Sequence, residues 1–131
     1  MAAAESYPDD LKYHSEHDWA RIDGDEAVLG ITWFAADALG ELVHFEPPAT
    51  GSTVAKDDTY GEVESVKAVS DLIAPLSGEV LDVNQRVVDA PEIVNEDPYG
   101  DGWLIRIRLS DPSEVDGLLD LDAYKQVLAE Q

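Results

Sequence analysis

Trp103-Leu104-Ile105-Arg106-Ile107-Arg108-Leu109 is the stretch on which the fold turns. Trp103, Ile105, Ile107 and Leu109 alternate with Leu104, Arg106 and Arg108, and a period of two is what a strand with one buried and one wetted face requires. An amphipathic helix would place its apolar residues three and four apart instead. The pattern predicts a strand over residues 103–109. Trp103 follows Gly100, Asp101 and Gly102 and is expected to be a buried anchor at the start of that strand.

Outward from this stretch, shorter apolar runs occupy residues 19–22, 27–31, 42–46, 60–66, 69–74 and 79–83. Gly, Pro, Asn or Asp interrupts the chain roughly every 8 to 12 residues, the rhythm of an all-β domain. Asp23, Gly24 and Asp25 supply the turn between the first two runs. Helices are expected to be short and peripheral. Thr32 caps a helix over 33–39 that Gly40 ends, and Asp111, Pro112, Ser113 and Glu114 open one running to about residue 119. Leu121, Tyr124 and Leu128 would then give a C-terminal helix over 122–129 one apolar stripe. Pro48, Gly51 and Val54 are echoed 27 residues later by Pro75, Gly78 and a shifted Val80, as two similar β units around a centre near Lys67 would be. A length of 131 residues suits one domain, 1–131, with 1–10 expected as a loosely ordered N-terminal extension.

Composition narrows the chemistry. There is no cysteine, which removes disulfides, thiolate metal sites and thiol nucleophiles, so redox chemistry would need a group the sequence does not encode. Eight Lys and Arg against 29 Asp and Glu leave a net charge of -21, which argues against nucleic acid or an anionic membrane as partner. The longest uncharged stretch, residues 27–36, is too short to span a bilayer, and residues 1–5 lack the features of a signal peptide, so a cytoplasmic protein is expected. With 17 Asp, 12 Glu and only 4 Lys, a high-salt cytoplasm is one expectation and an acidic docking face for basic partners the other. His14 and His17 are three apart, on opposite faces of a strand, and so share no metal. Asn95, Asp97 and Gly100 fail as a calcium loop because Tyr99 and Arg106 stand at ligand positions. No phosphate loop, nucleophile elbow or triad pattern is present.

Lys67 is the one basic residue between Asp57 and Gln85, and it falls between two strand-like runs, at the tip of a hairpin. Alone it would read as a solvated turn lysine. The wording around it is Gly61, Glu62, Val63, Glu64, Ser65, Val66, Lys67 and Ala68, then Ser70 and Asp71. This resembles the lipoyl attachment site of the glycine cleavage H proteins. The resemblance runs from about residue 11 to 129. It takes in His17 and Trp19, then Gly30, Ile31 and Thr32, then Ala38, Leu39 and Gly40, and the Asn95, Glu96, Asp97, Pro98, Tyr99, Gly100, Asp101, Gly102, Trp103 segment. Biotin carriers share the architecture but flank their lysine with methionines, where Val66 and Ala68 stand here. The family implies a barrel-sandwich hybrid of the lipoyl- and biotinyl-carrier kind, acting as a monomeric carrier rather than an enzyme.

The resemblance further implies lipoate attached covalently to Lys67 by a lipoate ligase or lipoyl transferase, with Glu64 aiding ligase recognition. The arm would take an aminomethyl group from the pyridoxal-phosphate glycine decarboxylase and deliver it to the tetrahydrofolate-dependent aminomethyltransferase. The FAD- and NAD-dependent dihydrolipoyl dehydrogenase would reoxidise it. By the same resemblance Ser15, Asp18 and Asp71 would line a cleft for the loaded arm, whose amine is cationic; the family pattern has Glu at Asp18 and a polar residue at Trp33. The alternatives are another lipoyl carrier, such as a lipoate relay, and an acidic β-domain that only binds a partner.

Overall fold

In a computed structural model that describes residues 3–131, the strands form two sheets. The first holds β1 (Lys12–Tyr13), β2 (Asp18–Asp23), β3 (Glu26–Ile31), β5 (Thr53–Val54), β8 (Gly78–Val83) and β9 (Ile105–Leu109) in the order β1-β2-β3-β9-β8-β5. The second holds β4 (Leu42–Glu46), β6 (Thr59–Ser65) and β7 (Val69–Ile73) in the order β4-β6-β7. All pairings are antiparallel. The sheets share one hydrophobic core without closing into one barrel, an arrangement compatible with the expected barrel-sandwich hybrid.

β9 lies at the centre of the larger sheet. Ile105, Ile107 and Leu109 are buried while Arg106 and Arg108 point away from the core, as the alternation requires. Each arginine meets an acid on a flanking strand: Arg106 sits 2.7 Å from Glu26 on β3, and Arg108 3.2 Å from Glu79 on β8. The strand begins two residues later than expected, and Trp103 is half-buried rather than a fully buried anchor. Its N–H donates to the Gly100 carbonyl and its own carbonyl accepts from Asn84 Nδ2, so the Trp103 backbone belongs to the preceding turn and not to the ladder. Leu104, expected on the wet face, is fully buried.

Trp19 fills the anchoring role instead. It is fully buried, pairs across β2 and β3 with Gly30, and donates its indole N–H to the Pro98 carbonyl at 3.0 Å. A Cβ on Gly30 would stand 2.5 Å from the indole, so only glycine leaves room for that ring. Four helices and a 3-10 turn flank the sheets. Helix α1 (Trp33–Leu39) has the expected Thr32 cap, and at its end Gly40 takes φ 85°, where a side chain would be strained. Helices α2 (Gln85–Asp89) and α3 (Ile93–Glu96) were not expected, while the segment opened by Asp111 is a 3-10 turn, Pro112–Gly117. Its Glu114 accepts from the Ser77 N–H and hydroxyl rather than reaching back to its own cap. The C-terminal helix α4 (Leu121–Ala129) packs Tyr124 flat on Tyr13, with ring centroids 4.6 Å apart.

The two echoed segments lie side by side: Val54 of β5 pairs with Gly78 of β8, and the chain between them includes the β6–β7 hairpin. Residues 3–10 contain no helix or strand. Ala3 donates to Asn95 and accepts from Trp33 Nε1, and the Tyr99 hydroxyl donates to Ser6. Residues 1 and 2 lie outside the described residues. Among the described residues, no helix is long and apolar enough to cross a membrane.

Candidate functional site

Lys67 stands at the tip of the β6–β7 hairpin, in the three-residue connection 66–68, and is exposed. The tip is built by Ser65, whose buried hydroxyl accepts from the N–H of Lys67 at 3.3 Å and of Ala68 at 3.1 Å. The Ser65 N–H donates to the Ala68 carbonyl at 2.8 Å and closes the turn. A serine at the end of a strand can satisfy local backbone donors in this way, so the backbone on both sides of the lysine is held. Beside it, a Cβ on Gly40 would lie 3.5 Å from the Lys67 Cε, which places the lysine stem along the end of α1. Gly40 is itself fixed by Asn95, whose Nδ2 donates to the Gly40 carbonyl and whose Oδ1 accepts from the Leu42 N–H.

No carboxylate forms an ion pair with Lys67 among the described residues, so Glu64, three residues earlier, is not its salt-bridge partner. Glu64 lies in the row His44, Glu64, Val69 that crosses the three strands of the smaller sheet. Gly40 also lines a cavity of about 320 Å³ with Ala36, Asp37, Glu41, Glu92, Asn95 and Glu96.

Ser15, Asp18 and Asp71 occupy three different settings. Ser15 is exposed and lines a cavity with His14, Lys56 and Asp57. Asp71 is exposed on β7, opposite Glu62, and lines another cavity with Glu46, Thr59 and Gly61. Asp18 is 2% exposed at the start of β2, and its Oδ1 is a buried oxygen without a hydrogen-bond partner. Burial holds the Asp18 carboxyl well above the usual carboxylate range; the Glu16 charge adds to this and a hydrogen bond from the Ile73 backbone opposes it. Close by, the buried Tyr60 hydroxyl also lacks a partner, and burial together with Asp18 raises its pKa.

His14 and His17 serve different neighbours. His14 Nε2 is 2.7 Å from Asp57 Oδ1, and His17 Nδ1 is 2.7 Å from the Tyr124 hydroxyl. The segment 95–103 is a scaffold: Asp97 accepts from the N–H groups of Gly100 and Asp101, and Tyr99 holds Trp33 and Arg21 as well as Ser6. Ser65, Gly40 and Asn95 lie within the motif segments of the sequence, and Gly40 ends α1 as expected, but the roles of Ser65 and Asn95 and the approach of Gly40 to the lysine stem were not read from it. The strand-end serine two residues before the lysine was the available signal for Ser65.

The geometry is that of an exposed amine presented at the tip of a hydrogen-bonded hairpin. Comparison with known proteins agrees with it. The glycine cleavage H-protein family model matches residues 11–131. The glycine cleavage system H protein of Symbiobacterium thermophilum is 50% identical over 117 residues, 89% of this chain and 91% of that protein. That of Carboxydothermus hydrogenoformans is 48% identical over 124 residues, 95% of each chain. The crystal structure of a glycine cleavage system H protein from Mycobacterium marinum superposes with a TM-score of 0.87 at 40% identity, covering 94% of this chain and 99% of that one. With a family model that spans all but the first ten residues and relatives matched along nearly their whole length, the chain belongs to the glycine cleavage H-protein family.

Proposed function

We propose that the chain, folded as one carrier domain over residues 1–131, carries lipoate on Lys67 for the glycine cleavage system. The single observation that carries this reading is an exposed lysine on a closed hairpin tip, Lys67, with no ion pair among the described residues to lose when an amide replaces its charge. The site fits the group: the amine is open to a modifying enzyme, and the stem rests along Gly40 with space beside it. When bound, the group supplies a cyclic disulfide whose sulfurs take up and release a one-carbon aminomethyl unit and a pair of electrons.

What the chain itself does is present, tether and shelter. The hairpin holds the attachment point still while the side chain moves, and tethering raises the effective concentration at each active site visited. Glu64, half-buried on the row beside the tip, is the residue proposed to help the lipoate ligase or lipoyl transferase recognise it. Asp18 is proposed as acceptor for the cationic amine of a loaded arm, because its buried, unpartnered Oδ1 is the kind of group an ammonium would satisfy. Asp71 and Ser15 are proposed as further polar contacts along the path of the arm. Asp71 faces the like-charged Glu62, which leaves that position favourable to a cation. Glycine decarboxylase, the aminomethyltransferase and dihydrolipoyl dehydrogenase are the proposed partners.

The test is glycine-dependent bicarbonate exchange by glycine decarboxylase with the lipoylated chain as acceptor. Exchange that saturates with the modified chain and is absent with the unmodified one is expected. A lipoylated chain that supports none would overturn the glycine-cleavage assignment while leaving a lipoyl carrier of another complex.

A further inference from the structure

Among the described residues, the exposed large hydrophobic side chains are Val43, Val66 and Val69, at 51%, 78% and 59%. They come from β4, the tip and β7, neighbouring segments at the tip end of the smaller sheet. Val69 pairs with Glu64, Glu64 pairs with His44, and Val43 is the extra residue of a β-bulge between Leu42, which pairs with Ser65, and His44. The bulge leaves both Val43 and His44 exposed where regular alternation would have buried one of them. Val66 adjoins Lys67 directly. Three solvent-facing valines in a chain this acidic need a reason, since apolar residues gathered at one exposed place commonly mark an interaction surface.

We infer that Val43, Val66 and Val69 form the docking surface for the enzyme that acylates Lys67, one whose active-site mouth is apolar and rimmed by Lys and Arg. The rim follows from charge: Glu64 lies in the patch's own row, Glu46, Glu62 and Asp71 form the next row across the sheet and Glu41 precedes β4, all on exposed or half-exposed positions; among the described residues Lys67 is the one Lys or Arg on this hairpin, with exposed His44 3.4 Å from Glu46. An apolar centre with a charged rim is the usual anatomy of a specific interface. The choice among partners follows from reach. An enzyme that acylates Nζ must come within one lysine side chain of the backbone and so must touch Val66, whereas enzymes that use the finished arm can work from its far end. In that acylation the deprotonated Lys67 amine attacks the carbonyl of a lipoyl adenylate. The amide C–N bond forms, the acyl C–O bond breaks, AMP leaves and the nitrogen sheds a second proton.

This inference rests on the carrier reading, and one experiment separates the two. The unmodified wild-type chain, the triple variant Val43→Thr, Val66→Thr, Val69→Thr, and the matching triple isoleucine variant are incubated with lipoate, ATP and a lipoate ligase. Product is followed by intact mass over a range of carrier concentrations, and thermal melts check each fold. Threonine keeps the β-branched shape but not the apolar surface. The threonine triple is expected to raise the KM for the carrier about tenfold with kcat unchanged, as loss of an interface anchor does, while the isoleucine triple stays within about twofold. A threonine triple with the wild-type KM, or a loss confined to kcat, overturns the docking surface and leaves the carrier reading intact. A wild-type chain that takes no label overturns both.

Discussion

At the residue scale, Asp18 shows how burial sets chemistry. Its carboxyl binds a proton more tightly in the folded chain than in the unfolded one, because burial penalises the charged form. A group whose folded pKa is raised contributes stability that is complete below its unfolded value, near 3.8, and is lost as pH rises through the folded value. Asp18→Asn removes that dependence. The variant is therefore expected to gain stability relative to wild type as pH rises from about 4 to 7, in denaturant melts run across that range. A difference that does not change with pH would show that Asp18 is not buried as a carboxyl. Its place in the resemblance was visible in the sequence, but its burial was not. Asp18 is closed in by contacts from distant strands, including the Ile73 backbone of β7. Lys67 was legible for the opposite reason: its isolation, the flanking apolar runs and the family wording all lie within a short local stretch.

At the scale of elements, the two tryptophans divide the anchoring differently from expectation. Trp103→Ala should cost about 1.5–2.5 kcal/mol, because a half-buried ring loses less than a buried one. Trp19→Ala should cost about 3–5 kcal/mol, as a fully buried aromatic does. Gly30→Ala forces a methyl onto the same indole and should cost about 1–3 kcal/mol or more, with urea unfolding midpoints as the check on all three. A Trp103 loss that equals the Trp19 loss would contradict the assignment. The strands of the main sheet were legible because β9 carries its own alternation, β2, β3 and β8 are short apolar runs between turn residues, and the Asp23-Gly24-Asp25 turn is local. Strands β1 and β5 are two residues each, too short to show a period, and exist because neighbours supply their hydrogen bonds. Helices α2 and α3, five and four residues long, are held by Asn84 and by packing of Val87 and Val94 in the core, contacts no local pattern announces. The boundary at Trp103 was missed because Asn84, remote in sequence, claims its carbonyl.

For the whole molecule, a net charge of -21 means self-repulsion that works against the compact state in dilute buffer. Molar potassium chloride shortens the screening length to about 3 Å. The melting midpoint is therefore expected to rise from low to molar salt if the chain is built for high-salt surroundings, and a flat profile in thermal scans would sink that proposal. The central claim is that this acidic β scaffold exists to present one lysine. Lys12, Lys56 and Lys125 lie in β1, in the connection after β5 and in α4, and none stands at a hairpin tip. Lys67→Arg keeps the charge and should change stability by no more than about 0.5 kcal/mol, as surface substitutions do. The most direct measurement is the intact mass of wild-type and Lys67→Arg chains after incubation with lipoate, ATP and a lipoate ligase. One lipoyl group on the wild type and none on an equally stable variant is the result expected. Label on the variant at wild-type yield would contradict it.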